Sequence, residues 1–188
     1  MKKQNACGGG SNLVGQDQLH GLGRPLEILG VNPPPHCPTS PPKLVKWNPP
    51  PVNWMKINFD GAMFKNEALA RLGVIIQNDK GLAMAVSSQT IPLPTSIEMV
   101  EVLAAHSALC LARELQFDQV IVEGDSKLVI KTLNSEDYSS TSFGHIIRDI
   151  KIAFSAFRYL VFCHTGTQGN KVTHRLARLA CNFSSFNV

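Results

Sequence analysis

The sequence predicts an α/β domain built on a mixed five-stranded sheet with helices on its faces, in the order βββαβααβα. An alternating strand comes first, a two-stranded hairpin follows, and helical segments then alternate with short apolar segments. A hairpin followed by alternating helices and strands combines antiparallel and parallel pairing in one sheet. Roughly 140 residues are available for this core, which is enough for one domain.

The domain is expected to follow a long Pro/Gly-rich segment. Ten of the twelve prolines lie in residues 1–51, and half of the glycines lie in residues 1–30. Clustered prolines exclude helices and central strands, so we predict a disordered N-terminal tail at 1–45 and a folded domain at 46–188. The run PPPHCPTSPP is either a linker, which we favour, or the ligand of a partner that recognises Pro-rich motifs.

The first three strands follow from alternation and turn residues. In WMKINFDGAMF the apolar residues Met55, Ile57 and Phe59 share one face, which is typical of a strand. RLGVIIQ and LAMAVSS are two further strands, and the turn at residues 78–81 joins them as a hairpin.

The second half alternates helices with strands. Residues 95–98 (TSIE) fit a capping box with Thr95 as its first residue, and EMVEVLAAHSALCLAREL follows as a helix of about five turns. QVIVEG is a short strand of the kind that is buried on both faces. SKLVIKTLN and SFGHIIRDIKIAFSAF are helices, RYLVFCH is the fifth strand, and NKVTHRLARLACNF is the last helix.

Charge and composition exclude some classes of protein. The net charge is +4, but residues 1–50 carry +3 of it, so the folded part is nearly neutral. No apolar run reaches the roughly 18–20 residues of a membrane span, and no apolar region follows the first lysines as in a secretory signal. Five cysteines without a CxxC pair indicate free thiols. We therefore expect an intracellular protein, in nucleus or cytoplasm, without membrane contact.

Three carboxylates lie at unusual places. Asp60 lies inside an apolar strand, where aspartate is disfavoured unless it opens a turn. Asp125 follows a buried strand, where α/β sheets place their ligand sites, although an N-cap alone would explain it. Glu101 is either an ordinary solvated glutamate or is drawn toward the sheet by a stripe of small residues on its helix. That stripe is Ala105, Ala108 and Ala112.

Together these acids indicate a metal site. If the first strand pairs with QVIVEG, Asp60 and Asp125 come side by side, and a helix that crosses the sheet can add Glu101. Three adjacent carboxylates repel one another unless a cation lies among them. Oxygen ligands suit Mg²⁺ or Mn²⁺, ions that orient and polarise phosphates, so the pattern favours a metal-dependent phosphodiester enzyme.

Four segments in order, WNPPPVNWMKINFDGA, GVIIQNDKG, EVLAAHSALCLARELQFDQVIVEGDSKLVI and GNKVTHRLARLA, resemble the plant RNase H-like domain family, which is related to the ribonuclease H of non-LTR retroelements. The resemblance covers about residues 46–182. It implies a type 1 ribonuclease H fold and cleavage of the RNA strand of RNA–DNA hybrids. It also implies that Asp60, Glu101 and Asp125 bind Mg²⁺ or Mn²⁺, with Glu98 as the rival at the helix position.

The resemblance has two departures. Family members with a full carboxylate set carry a fourth acid in the last helix, where this chain has His174, and imidazole is a poor ligand for Mg²⁺. His174 would then contact a phosphate or act in proton transfer. His164 lies where such enzymes carry a mobile histidine that moves protons or helps product leave, although a strand-end histidine in solvent is an equal alternative. Both are retained as catalytic candidates.

The second departure concerns binding. Some relatives insert a strongly basic helix at the stretch TLNSEDYSSTSFGHIIRDIKIAF, which here, counted with the preceding Lys131, has no net charge. Without it, either the basic tail or the last-helix residues Lys171, Arg175 and Arg178 have to neutralise phosphates, with Lys171 and Arg175 as the chosen contacts. Asn170 is either a further contact or a helix cap. The leading hypothesis is a monomeric hybrid endonuclease; the alternative is a catalytically weak or inactive, retroelement-derived nucleic-acid-binding module. An adaptor that recruits partners through its tail is a third reading.

Overall fold

The computed structural model describes Pro35 and residues 47–138, 141–155 and 157–179. Within them the chain follows the predicted order βββαβααβα. The strands are β1 (Met55–Phe64), β2 (Leu69–Gln77), β3 (Ala83–Pro92), β4 (Gln119–Gly124) and β5 (Tyr159–His164). The helices are α1 (Ile97–Glu114), α2 (Lys127–Asn134), α3 (Gly144–Ala153) and α4 (Lys171–Leu179), and a short 3₁₀ turn at Lys65–Glu67 follows β1. The predicted tail at 1–45 lies, apart from Pro35, outside the described residues.

The five strands form one mixed sheet in the order β3-β2-β1-β4-β5. β1 pairs antiparallel with β2 and parallel with β4, and β4 pairs parallel with β5. The β1–β4 ladder runs from the pair Met55–Val120 to the pair Asn58–Glu123. The predicted fold class is therefore confirmed, and the pairing of the first strand with QVIVEG, on which the expected acidic cluster depends, is present.

Helices α1 and α4 cover opposite faces of the sheet. A Cβ atom at Gly61 would lie 2.5 Å from Cγ1 of Val100 in α1, so this face of β1 meets α1. Gly73 pairs with Asp60 on the neighbouring strand. A Cβ atom at Gly73 would lie 2.8 Å from backbone atoms of α4, so this face of β2 meets α4. Because successive strand residues point to opposite faces, Asp60 faces the α4 side and Gly61 the α1 side.

The main core lies between α1 and the sheet. Ile57 and Phe59, the alternating residues of β1, are fully buried there. The small residues of α1 pack against them as the stripe predicts, and all of these are fully buried: Ala105, Ala108 and Ala112. Each Å² of apolar surface that is buried contributes about 25 cal/mol to stability. Because most of the fully buried apolar side chains lie in this layer, it is the main source of stability.

Two local expectations are corrected. The N-cap of α1 is Ser96, whose hydroxyl accepts from the Met99 amide at 3.2 Å, and not Thr95. The helix begins one residue later because Thr95 still belongs to the bend that leaves β3. Cys110 is a free thiol, but Cys163 is disulfide-bonded. An odd number of cysteines requires one unpaired thiol and leaves the pairing of the others open.

None of the helices in the described ranges is long and apolar enough to cross a membrane.

Candidate metal centre

Asp60, Glu101 and Asp125 come together at one point of the sheet. Each offers a carboxylate oxygen, and these oxygens lie within 4.8 Å of one another. Asp60 is two residues beyond Asn58 on β1, and Asp125 is two residues beyond Glu123, the partner of Asn58 on β4. The parallel register therefore places the two aspartates side by side at the carboxyl end of β4.

Glu101 reaches this point because α1 lies close to β1 at Gly61. The Gly61 amide donates to Oδ1 of Asp60 at 2.9 Å and to Oε1 of Glu101 at 3.3 Å. Any larger residue at this position would collide with Val100. Sequence reasoning missed Gly61 as part of the site, although a glycine directly after an acid inside a strand was a usable signal.

Burial and mutual repulsion disturb the titration of two of these acids. Burial, together with the charges of Asp60 and Asp125, raises the pKa of Glu101 to about 9. Burial and the charge of Asp125 also raise the pKa of Asp60, although its hydrogen bond to His174 acts in the opposite direction. Carboxylates that are held this close store unfavourable energy, which a bound cation would relieve.

The chemistry of the cluster fits a hard divalent cation. Oε2 of Glu101 is buried and has no hydrogen-bond partner among the residues that the structure describes. An unpaired buried carboxylate oxygen is costly unless something binds it. All three ligands are oxygens, the donors that Mg²⁺ and Mn²⁺ prefer, so the residues present are suited to hold such an ion.

The structure distinguishes between the alternatives that the sequence left open, an N-cap role for Asp125 and Glu98 in place of Glu101. Asp125 is not the N-cap of α2, because the hydroxyl of Ser126 accepts from the Val129 amide in that role. Its carboxylate is therefore left for the cluster. Glu98 lies in the first turn of α1, outside the group of acids that Glu101 joins.

Both candidate histidines border the cluster. Nδ1 of His174, the fourth residue of α4, donates to Oδ2 of Asp60 at 2.8 Å. Nε2 of His164, at the exposed end of β5, donates to the backbone carbonyl of Asp125 at 3.1 Å. Each histidine thus contacts one of the two aspartates, His174 through a side chain and His164 through the backbone.

The expected nucleic-acid contacts divide into two groups. Lys171 and Arg175 are exposed on α4. Asn170 is fully buried instead, and its amide donates to the carbonyl of Phe59 at 2.8 Å while Thr173 donates to Asn170. Asn170 therefore ties the start of α4 to β1 directly before Asp60.

A shallow pocket of about 300 Å³ adjoins the cluster on the α4 side. It is lined by Thr167, Gln168, Lys171, His174 and Arg175. Thr167 and Gln168 lie in the turn between β5 and α4, and sequence reasoning missed them because nothing in GTQGN departs from an ordinary turn.

The mixed sheet, its helices and the cluster of acids on β1, α1 and β4 define a ribonuclease H-like domain. The chain belongs to the reverse transcriptase-like family, whose model matches residues 58–180. The expected ribonuclease H-like relationship is thereby confirmed. A comparison with curated proteins finds no significant match.

Solved structures of similar fold include ribonucleases H. RNase H1 of the halophilic archaeon Halobacterium salinarum is 25% identical with a TM-score of 0.62, over 68% of this chain and 96% of that chain. LC11-RNase H1, isolated from compost by a metagenomic approach, is 25% identical with a TM-score of 0.58, over 69% and 96%. The structure of LC11-RNase H1 in complex with an RNA/DNA hybrid matches at 23% identity with a TM-score of 0.55, over 66% and 94%.

Proposed function

We propose that this protein is a divalent-metal-dependent endonuclease that hydrolyses the RNA strand of RNA–DNA hybrids. The observation that carries the proposal is the cluster of Asp60, Glu101 and Asp125, whose oxygens lie within 4.8 Å of one another in a ribonuclease H-like fold. The hybrid-bound structure of LC11-RNase H1 supports a hybrid as the substrate class. An origin from a plant retroelement, as the resemblance implies, belongs to the same proposal.

Asp60, Glu101 and Asp125 would hold Mg²⁺ or Mn²⁺. The bound ion would supply an activated water, polarise the scissile phosphate and stabilise the departing oxygen. The protein fixes the orientation of Asp60 from two sides, through the Gly61 amide and through Nδ1 of His174. Glu101, whose pKa is raised to about 9, gives up its proton when it becomes a ligand.

The other candidate residues have roles around this centre. His164 is exposed and holds a proton at Nε2 toward the Asp125 carbonyl, which suits it to exchange protons with solvent at the edge of the site. Lys171 and Arg175 are exposed on α4 and contact backbone phosphates. Asn170 is buried and acts as a positioning residue for α4. The 2′-hydroxyl groups in the hybrid's minor groove mark the RNA strand.

One observation favours the alternative function. Nδ1 of His174 bonds Oδ2 of Asp60 at 2.8 Å, and the resemblance implies that His174 stands where relatives with a full carboxylate set have a fourth acid. A site with three acids and this histidine holds a second metal ion poorly. The alternative is therefore a retroelement-derived module that binds nucleic acid in the same place and cleaves it negligibly.

The test is cleavage of an end-labelled RNA–DNA hybrid by the purified full-length chain, with Mg²⁺, with Mn²⁺ and with EDTA. We expect cuts in the RNA strand that need metal and that disappear in Asp60→Asn, Glu101→Gln and Asp125→Asn. Glu98→Gln, which changes an acid of the same helix outside the cluster, is the matched control and keeps its activity. Tight binding without cleavage in either metal would establish the alternative.

The remaining parts of the proposal concern setting and partners. A hybrid nuclease works where RNA and DNA occur together, so we place the protein inside the cell, in nucleus or cytoplasm. We also propose that it is a monomer. A role of the Pro-rich tail in recruiting a partner is tested by deleting residues 1–45. Loss of a bound partner with nuclease activity intact would assign recruitment to the tail.

A further inference from the structure

The pocket beside the metal centre has the composition of an anion site. None of the five described residues that line it is acidic, and two of them, Lys171 and Arg175, carry full positive charges. Thr167 and Gln168 add a hydroxyl and an amide. Side chains of this kind, a flexible ammonium and a guanidinium with neutral donors, are those that bind phosphate oxygens in proteins.

The walls of the pocket are held in place by the fold. In the turn after β5, the Thr165 amide donates to the Gly124 carbonyl at 3.0 Å, and the Gly169 amide donates to the Gly166 carbonyl at 2.8 Å. The buried amide of Asn170 then fixes the start of α4 to β1. The lining residues therefore come from one anchored turn and one face of one helix, at i, i+3 and i+4.

The pocket and the metal centre share one side chain. The ring of His174 lines the pocket, and its Nδ1 bonds Oδ2 of Asp60 at 2.8 Å. The imidazole of His174 therefore borders both the pocket and the acidic cluster. A nucleic-acid strand whose scissile phosphate faces the acidic cluster therefore passes the pocket with another of its phosphates.

We propose that this pocket binds an internal backbone phosphate of the strand that is cut, at a position next to the scissile phosphate. Lys171 and Arg175 neutralise it, and Thr167 and Gln168 donate hydrogen bonds to its oxygens. The inference rests on the proposed function, because it assigns a second phosphate position to the same substrate. It also gives a physical account of how the domain binds nucleic acid when the stretch at residues 131–154 has no net charge.

The experiment measures hybrid binding by the full-length Asp125→Asn chain, so that cutting does not disturb the equilibrium. Dissociation constants are determined over a series of salt concentrations, for that chain and for the same chain with Lys171→Gln and Arg175→Gln added. Each lost phosphate contact lowers the slope of log K against log salt by about 1. The control is Lys80→Gln, which removes an exposed charge in the turn between β2 and β3 and leaves the slope unchanged.

A second measurement locates the phosphate. Hybrids that carry a single neutral methylphosphonate are compared position by position, with RNA ends that are either 5′-hydroxyl or 5′-phosphate. We expect one internal position of the cut strand, besides the scissile one, to weaken binding to the Asp125→Asn chain by about tenfold, and to have no effect once Lys171 and Arg175 are replaced.

Three outcomes would overturn the proposal: an unchanged salt slope, a sensitive phosphate on the other strand, or an effect confined to a terminal 5′-phosphate. The melting temperature of each variant shows whether it is folded, and the single variants Lys171→Gln and Arg175→Gln replace the double variant if it is not. Failure of the wild-type chain to cleave any hybrid would refute the proposed function without altering these binding results, so the two failures are distinguishable.

Discussion

Nδ1 of His174 lies 2.8 Å from Oδ2 of Asp60, which joins the last helix to the first strand across 114 positions of sequence. Asp60 is almost completely buried at this contact, whereas the His174 side chain is 40% exposed. The histidine therefore contacts a carboxylate of the acidic cluster on one side and solvent on the other. This arrangement differs from the fourth acid that the resemblance leads one to expect.

His174→Asp is expected to raise the rate of hybrid cleavage in Mg²⁺ severalfold, because a carboxylate is a better ligand for Mg²⁺ than imidazole. The same change adds a fourth repelling charge, so it should lower the melting temperature in EDTA. Cleavage rates at saturating metal and melting curves measure the two effects. His174→Asn is the control that removes the ring without adding charge. An unchanged or lower rate for His174→Asp would show that the histidine has a role of its own.

The stability of the metal-free protein should fall as pH rises because of Glu101. Its pKa is about 9 when folded, against an ordinary value of 4.5. Between these values the folded state binds more protons than the unfolded state, so unfolding becomes easier with increasing pH. One such group contributes at most about 1.4 kcal/mol per pH unit. Glu101→Gln should therefore melt higher than wild type in EDTA at about pH 8 and show little difference at about pH 5.

Glu98→Gln is the control for this pH effect, because Glu98 lies on the same helix outside the cluster. Its melting temperature should follow wild type at every pH. Added Mg²⁺ should stabilise wild type by binding only the folded state, and it should not stabilise Glu101→Gln to the same extent. Parallel pH profiles for wild type and Glu101→Gln in EDTA would contradict the shifted pKa.

Gly73→Ala is expected to destabilise the protein by about 1–3 kcal/mol. A Cβ atom at this position would lie 2.8 Å from both the Ala177 nitrogen and the Thr173 oxygen of α4. These atoms are backbone, so the helix itself has to move away from the sheet. Urea denaturation measures the loss. Because α4 also carries His174, hybrid binding should weaken in this variant even where most molecules remain folded, and unaltered binding would argue against a fixed α4.

A largely buried ion pair between Lys56 and Glu123 provides a further prediction. Nζ of Lys56 lies 2.7 Å from Oε1 of Glu123, and the amide of Asn58 donates to Oε2 of the same glutamate at 3.1 Å. Replacing Lys56 leaves the Glu123 carboxylate without its counter-charge, so Lys56→Met should lower the free energy of unfolding by about 3–5 kcal/mol. The double variant Lys56→Met with Glu123→Leu should be more stable than Lys56→Met alone. A double-mutant cycle in urea measures the coupling, and strictly additive effects would be the contrary result.

Much of the fold follows from local patterns in the sequence. Alternation in β1, the hairpin turn at residues 78–81 and the apolar run of β4 each define an element from a few neighbouring residues, and the elements then allow few topologies. The alanine stripe of α1 likewise indicates why Glu101 is buried at 6% exposure. These features are predictable because the physical cause lies within a few positions of its effect.

The details of the site could not be predicted in the same way. The double hydrogen bond of the Gly61 amide, the burial of Asn170 and the contact of His174 with Asp60 all depend on packing between segments that are far apart in sequence. The N-cap of α1 differs from expectation because it, too, depends on more than residue type. Thr95 and Ser96 are both acceptable caps by residue type, and the path of the chain out of β3 decides between them.

The parallel pairing of β1 with β4 also has a consequence for how the protein matures. The β1–β3 meander is local and can form early, whereas the β1–β4 ladder requires the whole of α1 to be in place, and such distant contacts form slowly. Asp60 emerges from the ribosome long before Asp125, and the α4 residues emerge last. A partly synthesised chain can therefore contain the three acids before they are brought together, and the acidic cluster is complete only when the domain has folded.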